Sequence, residues 1–157
     1  MTSSVGAKID ARILFFGFLA GFLAVPLFHQ VGSLLLYLTV PGRNMPWNMS
    51  SAQHVFGVPA LLNLSFWGGV WGVAFVFAER WLPKSTLAYL VAAFVFGAIL
   101  PTAVGWFVVG PIKGQPFTMA RVNWTAFFNN GCWGLGTAVI LMLLRSFTSK
   151  SADRATA

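Results

Sequence analysis

The residues able to do acid–base, thiol or metal chemistry in this chain are few: His29 and His54, Cys132, and the carboxylates Asp10, Glu79 and Asp153. Paired-carboxylate catalysis needs two acids converging on one substrate, whereas these three flank apolar runs and lie far apart in the sequence. A single cysteine forbids an intrachain disulfide, and no zinc spacing or paired-thiol motif is present. Soft and imidazole ligands do occur. Met45-x-x-x-Met49 followed by His54 carries a faint copper pattern, and His29 with His54 is the one pair that could ligate haem. The spacing matches no ligand signature, so no cofactor is expected, with copper and haem as the alternatives.

Amides, hydroxyls and indoles form the more abundant polar set. His29, Gln30 and Ser33 interrupt one apolar run, Asn63 and Trp67 a second, Thr102 a third, and Asn129, Asn130 and Trp133 a fourth. Residues four apart share a helix face, so Asn63 with Trp67 and Asn129 with Trp133 present an amide beside an indole. Such amides serve either as interhelical hydrogen-bonding groups or as the lining of a ligand slot. An ionisable side chain inside a membrane segment reads as functional by default, which singles out His29, although a neighbouring helix could equally satisfy a neutral imidazole.

The elements that must position these groups are membrane helices. Of 157 residues, 57% are apolar and 8% charged, against roughly 25% charged in a soluble domain. Spanning a bilayer takes about 20 apolar residues per helix, and four runs qualify, at 13–40, 59–78, 86–109 and 122–144. This excludes a soluble catalytic domain. The first run would measure about 42 Å as a straight helix against a hydrocarbon core of about 30 Å, so it must tilt, kink or emerge, and Pro26 is the expected kink. A signal peptide is rejected because no small-residue cleavage pair closes the run, which continues far beyond h-region length. Residues 41–58 read as an ordered external loop. Residues 1–12 and 150–157 are short flanking segments around one domain at 13–149, the tail having the composition of a frayed end.

Lys8, Arg12, Arg80, Lys84, Arg145, Lys150 and Arg154 fall on the side holding both termini, against Arg43, Lys113 and Arg121 on the other. The positive-inside rule then puts both termini in the cytoplasm, and compactness points to a bacterial inner membrane. A net charge of +7 thus reflects topology and attraction to anionic lipid, and without a basic patch interleaved with aromatics no nucleic-acid partner is expected. Counted from the ends of each run, His29, Asn63, Thr102, Asn129 and Asn130 all belong to the outer half, while the inner halves are almost purely apolar. A polar pocket or hydrogen-bonded plug facing outward is therefore expected, roofed by the loop that carries His54.

Small residues recur at packing distance in Gly17-x-x-x-Gly21, Gly68-x-x-x-Gly72 and Gly134-x-x-x-Ala138. They suit close helix approach within the chain, with a homo-oligomer interface as the other use. Asn63-x-x-x-Trp67-Gly68 and Asn129-x-x-x-Trp133-Gly134 share a pattern that two parallel hairpins would produce, but in a chain this rich in Trp and Gly the match reads first as accident. The sequence as a whole reads as an all-α bundle of four transmembrane helices running up and down. Its expected role is non-catalytic: an accessory subunit of another membrane protein, or a self-associating component, in contact with membrane lipids. A binding or transport protein for a small ligand, metal or haem at His29 and the asparagines is the alternative.

Overall fold

The computed structural model describes residues 10–51, 56–119 and 122–155, with side chains to residue 148. Four long helices account for nearly all of it: α1 (Ala11–Thr39), α2 (Ala60–Trp81), α3 (Thr86–Ile112) and α4 (Trp124–Ala155). Each contains a stretch long and apolar enough to cross a membrane, and many large apolar side chains, such as Leu38, Leu87, Val91 and Ile99, are exposed on the outside of the bundle. In water such a surface would aggregate; against lipid tails it is the expected exterior. Four candidate transmembrane helices of this kind indicate an integral membrane protein. The fourth helix extends further than composition suggests, with helical backbone through Ala155 where the sequence reads as frayed.

Proline sets several helix limits. Val40 precedes Pro41 and Leu82 precedes Pro83, and both take extended backbone, as the clash with the proline ring demands, so α1 and α2 end there. At the start of α2 no side chain caps the helix. Instead the preceding loop folds back, and the amides of Ala60 and Leu61 donate to the carbonyls of Ser50 and Asn48 at 3.0 and 3.1 Å. That satisfies two of the first-turn donors which no intrahelical carbonyl can reach.

Within the helices, Pro26 and Pro101 do more than kink. The turn Val25–His29 widens to π geometry, with the amide of Gln30 reaching the carbonyl of Val25. After Pro101 the amide of Gly105 is shared between the carbonyls of Pro101 and Thr102, and Gly105–Val109 forms a second π turn. A missing proline N–H leaves the ladder one donor short, and a wider turn is one way to re-register it.

Packing begins with two hairpins. In the first, α1 and α2 cross at Gly17, Gly21, Gly68 and Gly72, where a β-carbon placed on Gly72 would lie 2.1 Å from the carbonyl oxygen of Gly17. In the second, α3 and α4 cross at Ala93, Gly97, Asn130 and Gly134, and a β-carbon on Gly134 would lie 2.2 Å from the carbonyl oxygen of Ala93. The correspondence extends to the rings, since Phe18 covers Gly69 as Phe94 covers Gly131. The two hairpins are thus an internal repeat, but in a different register from the sequence match: Gly72, not Gly68, is the counterpart of Gly134. The shared Asn-x-x-x-Trp-Gly pattern is offset from the structural equivalence by one helical turn, because what repeats is Gly-x-Trp-Gly, with Trp71-Gly72 the counterpart of Trp133-Gly134 and no asparagine of α2 matching Asn129. The glycine motifs serve contacts inside the chain.

The hairpins dock asymmetrically. α1 lies along α4, joined by the Trp133 indole N–H donating to the carbonyl of Gly21 at 2.9 Å, whereas the backbones of α2 and α3 stay apart. Side chains bridge them, with Trp71 and Phe75 both edge-on to Phe96. At one end of the bundle Glu79 accepts two hydrogen bonds from Arg145, at 3.0 and 2.6 Å, and one from the Tyr89 hydroxyl. This pins the end of α2 to α3 and α4, away from the polar cluster. Replacing Gly72 or Gly134 by Leu forces backbone apart from backbone, which should cost about 1 to 3 kcal/mol or prevent accumulation. Gly105→Ala, where a β-carbon meets nothing within 4 Å, should leave thermal unfolding in detergent unchanged or raise it slightly.

Candidate functional site

The gap between α2 and α3 at the end opposite Glu79 is a cleft of about 390 Å³. Its polar lining is His29 from the π turn of α1, Asn63 from α2, Asn130 from α4 and Lys113 from the end of α3. Three indoles, Trp67, Trp71 and Trp133, share the wall with Val104 and Val109. Five residues anticipated from the sequence, His29, Asn63, Trp67, Asn130 and Trp133, therefore meet in one place. They do so because α1 and α4 pack closely beneath while α2 and α3 do not close above them.

Each polar group is held in a defined way. Asn130 donates its amide N–H to the Thr102 hydroxyl at 2.8 Å, so Thr102, buried behind the cleft, positions a lining residue and does not itself line it. Trp133 is 3% exposed and its N–H is committed to Gly21, which makes it a fixed floor, whereas Trp67 is 55% exposed and borders the opening. His29 neither bonds to Asn63 nor to Thr102 nor to Asn130. Its ring Nδ1 meets the Gln30 amide nitrogen at 3.4 Å.

Gln30 connects this ring to the external loop. The backbone N–H of Trp47 donates to Gln30 Oε1 at 2.8 Å, and the Trp47 indole donates to the carbonyl of Pro26 at 3.1 Å. Trp47 reaches this position with φ at 54°, the left-handed region that a bulky residue adopts only when its surroundings enforce it. Because the Gln30 oxygen is taken by the loop, its NH2 is what faces the imidazole. Nδ1 must then be the acceptor, and the neutral ring carries its proton on Nε2. The π turn, Gln30 and Trp47 together fix the tautomer of a histidine in the cleft wall.

Other anticipated residues lie elsewhere. Ser33 donates to the carbonyl of His29 in its own helix at 3.0 Å. Asn129 sits at the seam of α1 and α4, where Gly32 faces both it and Cys132; its Oδ1 is buried with no hydrogen-bond partner among the described residues. Met45 and Met49 are exposed on the loop, and His54 lies outside the described residues. Among the described residues no group of three His, Cys, Asp or Glu side chains could hold a metal ion, and the cleft lining contains no carboxylate or thiol.

Sequence reasoning passed over three contributors. Lys113 counted only as an outer-side charge and Trp47 only as part of the external loop 41–58, although a tryptophan in the loop that follows a proline-loosened turn with a free carbonyl was a usable signal. Trp71 carried no signal, because its place depends on α3 standing off from α2. Comparison with protein-family models, with curated proteins and with solved structures gives no match.

Chemically the cleft offers indole and aliphatic walls, one cation and a few oriented hydrogen-bonding groups, the pattern of small-molecule pockets. Gln30→Leu would leave the Trp47 N–H and His29 Nδ1 unpaired and should lower stability by about 1 to 2 kcal/mol. It should also speed proteolysis within the loop 41–58. Trp47→Phe, which removes only the indole bond to Pro26, should show a smaller loss. Thermal unfolding and mass-mapped limited proteolysis of the two variants read both effects, and equal loop protection in Gln30→Leu and wild type would refute the anchor.

Proposed function

We propose that this protein is a non-catalytic membrane protein that holds a small amphipathic molecule in the cleft between α2 and α3, entered from the bilayer. The cleft itself is the observation that carries this reading: three tryptophans and the groups of His29, Asn63, Asn130 and Lys113 lining one space of about 390 Å³. A polar cluster serving only to hold helices together would have its groups bonded to one another, as Asn130 and Thr102 are; His29 and Lys113 instead border open volume. The excess of Lys and Arg at the Glu79 end supports an orientation with both termini in the cytoplasm and the cleft in the outer leaflet of a bacterial inner membrane.

The accessory or self-associating role receives less support. The glycine motifs that would have built a contact between copies are occupied by α1 against α2 and α3 against α4, so such a contact would need another face. Copper and haem have no ligand set in the cleft, where His29 is the sole imidazole among the described residues.

Organic extraction of protein purified in mild detergent, followed by mass spectrometry, tests the reading. An amphipathic molecule should be recovered at near-stoichiometric amount from wild type and be depleted in Trp67→Ala and Asn63→Leu variants that unfold at the wild-type temperature. Equal recovery from these variants, or no enrichment over bulk lipid, would overturn it. Reporter fusions at Lys84, Lys113 and the carboxyl end test the orientation independently: Lys84 and carboxyl-terminal fusions should be active only as cytoplasmic reporters, and the Lys113 fusion only as a periplasmic one.

A further inference from the structure

Resting on that reading, we infer that the cleft selects an amphiphile with an oxyanion head, a long-chain carboxylate or phosphate monoester, over neutral or cationic amphiphiles with the same tail. Three features lead there. Lys113 is the one charged side chain lining the cleft among the described residues, and no carboxylate lines it. A lone ammonium beside a desolvated space favours a negative ligand, and charge-assisted hydrogen bonds are the strong ones.

The second feature is His29. Gln30 Oε1 is engaged by the Trp47 N–H at 2.8 Å, so the Gln30 amide presents NH2 to His29 Nδ1, and Nε2–H is left as a donor without a partner among the described residues. A histidine free to choose its tautomer could serve a donor or an acceptor ligand equally; this one is set to donate. Asn63 can offer an N–H as well, and Asn130, with one amide hydrogen committed to Thr102, keeps its second amide hydrogen and its oxygen. The balance of groups around the head therefore favours a ligand that accepts. An oxyanion has several lone pairs and no obligatory hydrogen, whereas an ammonium head would meet one cation and two N–H donors.

The third feature is access. α2 and α3 do not close on each other, Trp67 and Leu64 at the opening are 55% and 40% exposed, and these faces lie on membrane-spanning helices. A hydrocarbon tail can remain in the lipid while the head reaches Lys113 and His29. Lys113 follows the last turn of α3 and its backbone closes that turn, so its long side chain can extend along the apolar wall and keep its ammonium near the interface.

The test is quenching of tryptophan fluorescence in phosphatidylcholine nanodiscs by stearate brominated on its chain, compared with the correspondingly brominated octadecanol and octadecylamine. Wild type should show saturable quenching by the carboxylate at a concentration about tenfold below that needed for the alcohol, the factor one charge-assisted contact supplies. Lys113→Gln should remove most of that preference. His29→Gln, which keeps an N–H donor, should bind within about threefold of wild type, and His29→Leu should weaken binding about tenfold, with thermal unfolding showing both variants folded. Hexadecyl phosphate added as competitor separates the two head chemistries: displacement of the bromostearate assigns a phosphate-tolerant site, and no displacement a carboxylate site. Saturable quenching of equal strength by alcohol and carboxylate, abolished in Trp67→Ala, would overturn the oxyanion inference and leave the cleft reading standing. A preference for the amine would overturn it as well, and no saturable quenching by any probe would overturn both.

Discussion

Everything in this bundle hangs on backbone meeting backbone at two glycine-lined crossings. In lipid there is no hydrophobic force between helices, and association depends on close van der Waals approach and a few hydrogen bonds. Gly17, Gly21, Gly68 and Gly72 let α1 and α2 approach until one helix's carbonyl occupies the space of the other's missing side chain, and Ala93, Gly97 and Gly134 do the same for α3 and α4. With each hairpin drawn this tight, the large side chains beyond the crossing point either out to lipid or toward the other hairpin. There Trp133 finds the carbonyl of Gly21, while Trp71 and Phe75 meet the ring of Phe96.

The repeat is close in its crossings and broken in its docking, and the break makes the cleft. One indole, Trp71, and the rings of Phe75 and Phe96 stand between α2 and α3, whereas α1 meets α4 more closely, with Gly32 against Cys132 and Gly136 against Phe28. Two equivalent interfaces would have closed the bundle completely. One open interface leaves a slot whose walls belong to four helices, and the prolines of α1 and α3 sit beside it. Their π turns matter for the same reason: a widened turn exposes a carbonyl, and at Pro26 that carbonyl accepts the Trp47 indole which anchors the loop over His29.

Polar chemistry is divided between the two ends. At one, Glu79, Arg145 and Tyr89 satisfy each other and tie three helices together; at the other, His29 and Lys113 border open volume and retain donors that the described residues do not use. Satisfied groups stabilise the bundle, and unsatisfied ones are available to a ligand. The proposed amphipathic binding role rests on the second set, a cation and hydrogen-bond donors placed among aromatic walls.

Four spans, the segregation of polar groups to one half and the sites of close approach were legible before any fold was known, since each rests on a signal local to a single helix: a run of apolar residues, a depth counted from its end, or a pair of glycines one turn apart. The sequence also brought His29, Asn63, Asn130, Trp67 and Trp133 onto one short list. It could not distinguish Asn130, bordering the cleft, from Asn129 one position away at the α1–α4 seam, because a rotation of about 100° about a helix axis separates those fates and neighbouring helices set that rotation. The same dependence hid the true register of the repeat, the turn that Pro26 opens and the part played by Trp47. Tertiary structure decided these because each is a relation between helices, and in a membrane a helix carries its apolar face all round, leaving no amphipathic stripe in the sequence to show which side looks inward.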